Sequence, residues 1–135
     1  MASERTPAQA PDQASGAGAP PVVGVLGGTG EQGRGLGLRL AMSGVRVLLG
    51  SRSAERAVAA ARELGHGIDG LSNEACAEQA DVVIVAVPYD GHRELLVSLE
   101  PYLRGKVVID CVNPLGFDNQ GAFALAVDEG SAAQQ

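Results

Sequence analysis

The 135-residue chain is 45% hydrophobic and 19% charged, enough apolar content for a single packed core. A net charge of −6 and only 3% aromatic residues exclude the basic, stacking surface that nucleic-acid binding requires. Two cysteines with neither CxxC nor Cys/His spacing point away from a zinc site or a disulfide framework and toward a reducing cytoplasm, and no apolar run reaches the about 18 residues of a membrane span.

Residues Met1–Pro21 are rich in Ala, Pro, Gln, Ser and Gly, with no apolar signal-peptide core, and are expected to form a flexible leader. The character changes at Val22. Val22-Val23-Gly24-Val25-Leu26 is a short apolar run ending in glycines, as for a strand buried on both faces. Glu31–Ser43 carries Leu36, Leu40 and their neighbours at helical spacing, and Gly44 supplies a stop. Val45–Gly50 reads as the second strand. Ser53 caps an Ala-rich helix to about Leu64, which Gly65-His66-Gly67 breaks.

Ile68 is expected in a brief strand and Ser72–Gln79 in a short helix. Val82–Val87 is the strongest strand signal, ended by Pro88. Gly91–Leu103 has Leu95, Leu96 and Leu99 at helical spacing, and Lys106–Asp110 follows as a strand. Past Asn113-Pro114-Leu115-Gly116 the pattern weakens, with a helix expected to begin within Glu129–Gln135. Strands alternating with helices define an α/β chain with a doubly wound parallel sheet of Rossmann type. Its core domain is expected over residues 22–127, with the start of a helix at 128–135.

Gly28-x-Gly30-x-x-Gly33 lies directly between the first strand and the first helix, the context in which this motif binds a dinucleotide. Gly28 allows the tight turn, Gly30 lets a pyrophosphate approach the backbone, and Gly33 brings helix and strand together. The helix start offers free N–H groups to the phosphates. After the second strand, where an NAD protein places a carboxylate on the ribose, the sequence reads Gly50-Ser51-Arg52-Ser53. Arg52, Ser51 and Arg56 instead suit the dianionic 2′-phosphate of NADP(H).

In open parallel sheets ligands lie beyond the carboxyl ends of the strands, so Val87, Pro88, Tyr89 and Asp90, and Asp110 to Pro114, are expected near the nicotinamide half. Tyr89, Asp90, His92 and Asp110 could each donate or accept a proton, but no pair has the spacing of a recognised acid/base constellation, and no catalytic or metal-binding residue is assigned. His92 is expected to be exposed at a helix start and His66 to lie in a loop. Cys111 reads as a small buried hydrophobe, and Tyr89 as packing beside the cofactor.

The run Gly24-Val25-Leu26-Gly27-Gly28-Thr29-Gly30-Glu31-Gln32-Gly33, with Gly50-Ser51-Arg52, closely resembles the NADPH-dependent F420 reductases, or F420H2:NADP oxidoreductases. Ala86-Val87-Pro88-Tyr89 and Val112-Asn113-Pro114-Leu115-Gly116-Phe117 agree with it. The resemblance implies hydride transfer between NADP(H) and the deazaflavin coenzyme F420. The 2′-phosphate would be held by the residues matching Thr29, Ser51, Arg52 and Arg56, and Val87, Pro88, Asn113 and Pro114 would lie along the rings. Members of the family are longer, and their C-terminal part completes the deazaflavin pocket and the homodimer contacts. The chain is therefore expected to be an N-terminal fragment or truncated product, with small-molecule partners. Two other readings stay open: a non-catalytic NADP-binding module, and an NADP-dependent dehydrogenase or imine reductase acting on a small substrate.

Overall fold

The computed structural model describes residues 18–135. The expected leader falls outside the described residues except for 18–21, which carry neither helix nor strand.

Five strands, β1 (Val22–Leu26), β2 (Arg46–Ser51), β3 (Asp69–Ser72), β4 (Val82–Val85) and β5 (Val107–Asp110), form one sheet in the order β3-β2-β1-β4-β5. Every neighbouring pair is parallel. The connections run through α1 (Glu31–Met42), α2 (Ala54–Leu64), α3 (Asn73–Gln79) and α4 (His92–Leu103). Central strands in such a sheet are covered on both sides, which is why β1, β2 and β4 read as continuous apolar runs rather than alternating ones.

Two separate cores result. Val23 and Val25 of β1 join Val47, Leu49 and Ile84 beneath α1 and α2, with Ala60, Ala61, Leu36 and Leu40 packed against them. Leu26 joins Leu48, Val83 and Val85 on the other face, against Cys76 and Ala77 of α3 and Leu99 of α4. Small residues set how near the helices come. A side chain at Gly70 would collide with the α2 backbone at Ala57, 2.1 Å away, and one at Gly24 would meet Ala80 and Cys76, both at 2.8 Å. The hydroxyls of Ser53 and Ser72 accept from the N–H groups of Arg56 and Ala75, so both act as the N-caps expected of them.

Several boundaries differ from the sequence reading. β2 runs one residue further, so Ser51 is its last residue rather than the first of a loop. β3 begins at Asp69, beyond Ile68, which instead packs into the first core. β4 ends at Val85, level with Leu26, where β1 gives way to the glycine loop. The Ala86 N–H still bonds Leu26 O at 3.0 Å. Beyond β5 an antiparallel hairpin forms from β6 (Leu115–Asp118) and β7 (Gly121–Ala124), an element absent from the sequence reading. In the last stretch the chain takes a short 3-10 turn, Ala132–Gln134.

Candidate dinucleotide site

Strand order reverses between β1 and β4: α1 leaves β1 toward one face of the sheet and α4 leaves β4 toward the other. The divergence opens a crevice at the carboxyl ends of the strands. A cleft of about 740 Å³ occupies this place, a volume suited to a small-molecule ligand.

Gly27, Thr29 and Gly30 form its floor. The left-handed residue of the turn is Gly27, at φ +71°, and not Gly28 as the motif suggested. A side chain at Gly27 would also lie 2.6 Å from Ala86 O. Gly28 is needed for packing instead, since a Cβ there would be 2.9 Å from Leu49. Gly33 lets α1 rest on the loop, with a Cβ there falling 2.6 Å from Gly27 O. Gly30 is the open one, its nearest such contact being 3.5 Å. The first backbone bond of α1 runs from Arg34 N–H to Gly30 O at 2.9 Å, so the N–H groups of Glu31, Gln32 and Gly33 precede the helical ladder.

One wall comes from the end of β2 and the start of α2: Ser51, Arg52, Ser53 and Arg56. No carboxylate stands at the strand end. Glu55, in the first turn of α2, accepts from the Ser53 hydroxyl at 3.0 Å, and a backbone N–H bond together with that hydroxyl holds its carboxyl below the usual range. Arg52 and Arg56 are exposed and enter none of the ion pairs among the described residues. Two cations at the beginning of a helix face an unfavourable dipole, and an anion there would relieve both. Ser51 is nearly buried, its Oγ accepting from Ser53 N–H at 3.2 Å.

Ala86, Val87 and Pro88 close the opposite wall, with Asp90, Gly91 and Leu95 at the start of α4. Gly28 and Gly33 support the floor from below, and Glu31 and Gln32 stand exposed on the first turn of α1. Tyr89 lines an adjoining recess of about 340 Å³ with Asp90, Arg93, Leu125 and Gln135. Asn113 and Pro114 follow β5 and are not part of the cleft lining.

His92 corrects the sequence reading: it is fully buried. Its Nε2 lies 2.7 Å from Asp110 Oδ2, and Asp110 Oδ1 accepts from Val112 N–H at 3.0 Å. Its Nδ1 lies 3.1 Å from Gln135 Oε1, while Gln135 Nε2 donates to the Tyr89 hydroxyl. The imidazole thus pins the first residue of α4 to the end of β5. Cys111 is partly buried against the first core, as a small hydrophobe would be. Among the described residues, no group of three or more His, Cys, Asp or Glu side chains is placed to hold a metal ion, and no helix is long and apolar enough to cross a membrane.

Sequence reasoning missed Asn73, which lines the cleft from the first turn of α3. The signal was available, because Asn73 follows β3 directly and the ends of all parallel strands in such a sheet lie on one side.

The sheet order, the glycine turn and the crevice between β1 and β4 define a Rossmann-type, doubly wound α/β protein. The family described as NADP oxidoreductase, coenzyme F420-dependent, matches residues 22–114, and the chain belongs to it. It is 39% identical over 122 residues to the F420-dependent NADP reductase of Methanothermobacter marburgensis, covering 84% of this chain and 54% of that one. The chain spans about half the length of the curated relatives it matches. Among solved structures, glycerol-3-phosphate dehydrogenase from Coxiella burnetii superposes with a TM-score of 0.60 at 18% identity, over 75% of this chain and 34% of that one. Pyrroline carboxylate reductase from Plasmodium falciparum, solved with NADP bound, superposes with a TM-score of 0.56 at 22% identity, over 70% and 34% of the two chains. At these identities the two structures speak for the fold alone.

Proposed function

We propose that this chain binds NADP(H) in the cleft and is the nucleotide-binding part of an oxidoreductase that moves a hydride between NADP(H) and the deazaflavin coenzyme F420. The observation that carries the reading is the pair Arg52 and Arg56, at the rim of β2, lining the cleft and free of the ion pairs among the described residues. The relatives named F420-dependent NADP reductase support the choice of the two redox partners.

The residues fit the nucleotide. Arg52 and Arg56, with Ser51 and Thr29, offer charge-assisted bonds to a 2′-phosphate, and Gly30 leaves room for a diphosphate over the first turn of α1. Val87 and Pro88 form an apolar wall for the nicotinamide end, and we assign Tyr89, Asn113 and Pro114 to its outer border. Hydride chemistry is supplied by the two ring systems when bound, and the chain's task is to hold, align and shield them. The same reading places the protein in a reducing cytoplasm, consistent with its two free thiols, and gives it small molecules rather than nucleic acid as partners. Light scattering of the purified chain tells a homodimer from a monomer.

Titration calorimetry with NADPH and NADH tests the assignment. Arg52→Ala is expected to weaken NADPH by about 1.5–3 kcal/mol and NADH far less. Equal losses for both nucleotides count against the pocket. Loss of the F420 absorbance band on mixing with NADPH tests hydride transfer separately, and tight NADPH binding without bleaching rejects turnover by this chain.

A further inference from the structure

Asn73 is 3% exposed, and its Oδ1 is the one buried side-chain polar atom without a hydrogen-bond partner among the described residues. An unpaired amide oxygen shut away from water is destabilising, so native structures rarely keep one without a use. Local structure supplies no use. The cap of α3 is already made by Ser72, whose hydroxyl accepts from Ala75 N–H at 3.2 Å. The fold also makes room for the carboxamide: a Cβ at Gly50 would sit 2.8 Å from Asn73 Oδ1, so only glycine at that place in β2 leaves the amide where it is. β2 and β3 pair Ser51 with Ser72, which sets Asn73 beside the Ser51-Arg52 rim, in the wall of the same cleft.

Resting on the NADP(H) reading above, we infer that the Asn73 carboxamide is a further nucleotide-binding residue, hydrogen-bonded to the phosphorylated adenosine ribose. An asparagine amide carries one acceptor and two donors on a broad terminal torsion, so a small rotation lets it take a ribose hydroxyl proton or donate to a phosphate oxygen. Either bond ends the isolation of Oδ1. The unliganded chain thus holds an unpaired polar group that the ligand satisfies, which adds to binding without adding to the stability of the empty fold.

The test is calorimetry of the full chain with adenosine 2′,5′-bisphosphate, accompanied by thermal melts with and without it. Binding by the parent chain tests the NADP(H) reading itself, and its absence removes that reading and this one together. Given parental binding, Asn73→Ala is expected to weaken affinity about fivefold to tenfold, with the melting temperature of the empty protein little changed and the ligand-induced rise reduced. Asn73→Asp keeps the shape but sets a carboxylate near the phosphate, and is expected to lose about tenfold or more for the bisphosphate. It should lose much less for adenosine 5′-monophosphate. A purely structural role would lower the melting temperature of the empty protein and leave the affinity of the folded chain intact. Affinities within about twofold of the parent in both variants overturn the inference.

Discussion

Gly33 and Gly35 lie two residues apart in α1, and replacing each by alanine should move stability in opposite directions. Alanine in a helix interior gains about 0.5–1 kcal/mol over glycine, by restricting the unfolded chain and favouring helical backbone. At Gly35 nothing lies within 4 Å of the added methyl group, so the gain is kept. At Gly33 the methyl carbon would fall 2.6 Å from Gly27 O and 2.7 Å from Gly28 Cα, where ordinary contact begins at 3.4 Å. Both neighbours are backbone and cannot swing aside, so α1 must lift off the loop at an overpacking cost of about 1–3 kcal/mol. The net expectation is that Gly33→Ala loses about 1–2 kcal/mol while Gly35→Ala gains up to about 1, a separation of roughly 8 °C in melting temperature for a chain of this size. Circular dichroism melts of the three proteins provide the measurement. Gly33→Ala should also weaken NADPH binding, because the displaced loop is the cleft floor. Equal stabilisation by both substitutions would refute the close approach of helix and loop.

Burial pushes the Cys76 thiol up to about 12 from an ordinary 9.0, whereas Cys111 is only partly buried. Near about pH 8 a thiol reagent should therefore label the folded chain once, at Cys111, and twice in denaturant; two rapid native labels would contradict the burial. The raised value favours the protonated thiol in the folded state, so this contribution to stability is complete below pH 9 and is lost as pH rises from 9 toward 12, which denaturant titrations across that window can follow. Lys106 Nζ donates to the carbonyls of Glu78 and Ala80, each at 2.6 Å, closing the C-terminal end of α3. Lys106→Met should lower unfolding free energy by about 1–3 kcal/mol in urea titrations, and an unchanged midpoint would show that these bonds are replaced by water without cost.

The parts legible in the sequence are those governed by local rules. Continuous apolar runs marked β1, β2 and β4, serine caps marked α2 and α3, and the glycine loop with Arg52 and Arg56 marked the cleft and its charge. The parts that escaped depend on contacts distant along the chain. His92 looks like a polar residue opening a helix, and only its meeting with Asp110, 18 positions later on the neighbouring strand, makes burial tolerable. The left-handed turn residue is Gly27, where a side chain would also meet Ala86 just past β4, information held some 60 positions away. In the β6–β7 hairpin, Leu115-Gly116-Phe117-Asp118 pairs with Gly121-Ala122-Phe123-Ala124 across Asn119-Gln120. Gly116 admits the Phe123 ring, 2.5 Å from where a Cβ would stand, and small residues blur the alternation that normally betrays a strand.

β1 lies between a partner close behind it in sequence and another, β4, that arrives only after two further helices and a strand have been made. The crevice has one bank from each side of that late junction. Gly27, Ser51 and Arg52 stand on one bank, and Ala86, Val87 and Pro88, which follow β4, stand on the other. A ligand that spans both banks binds only the folded chain, acting as a clasp across the β1–β4 junction whose hold grows with the logarithm of ligand concentration.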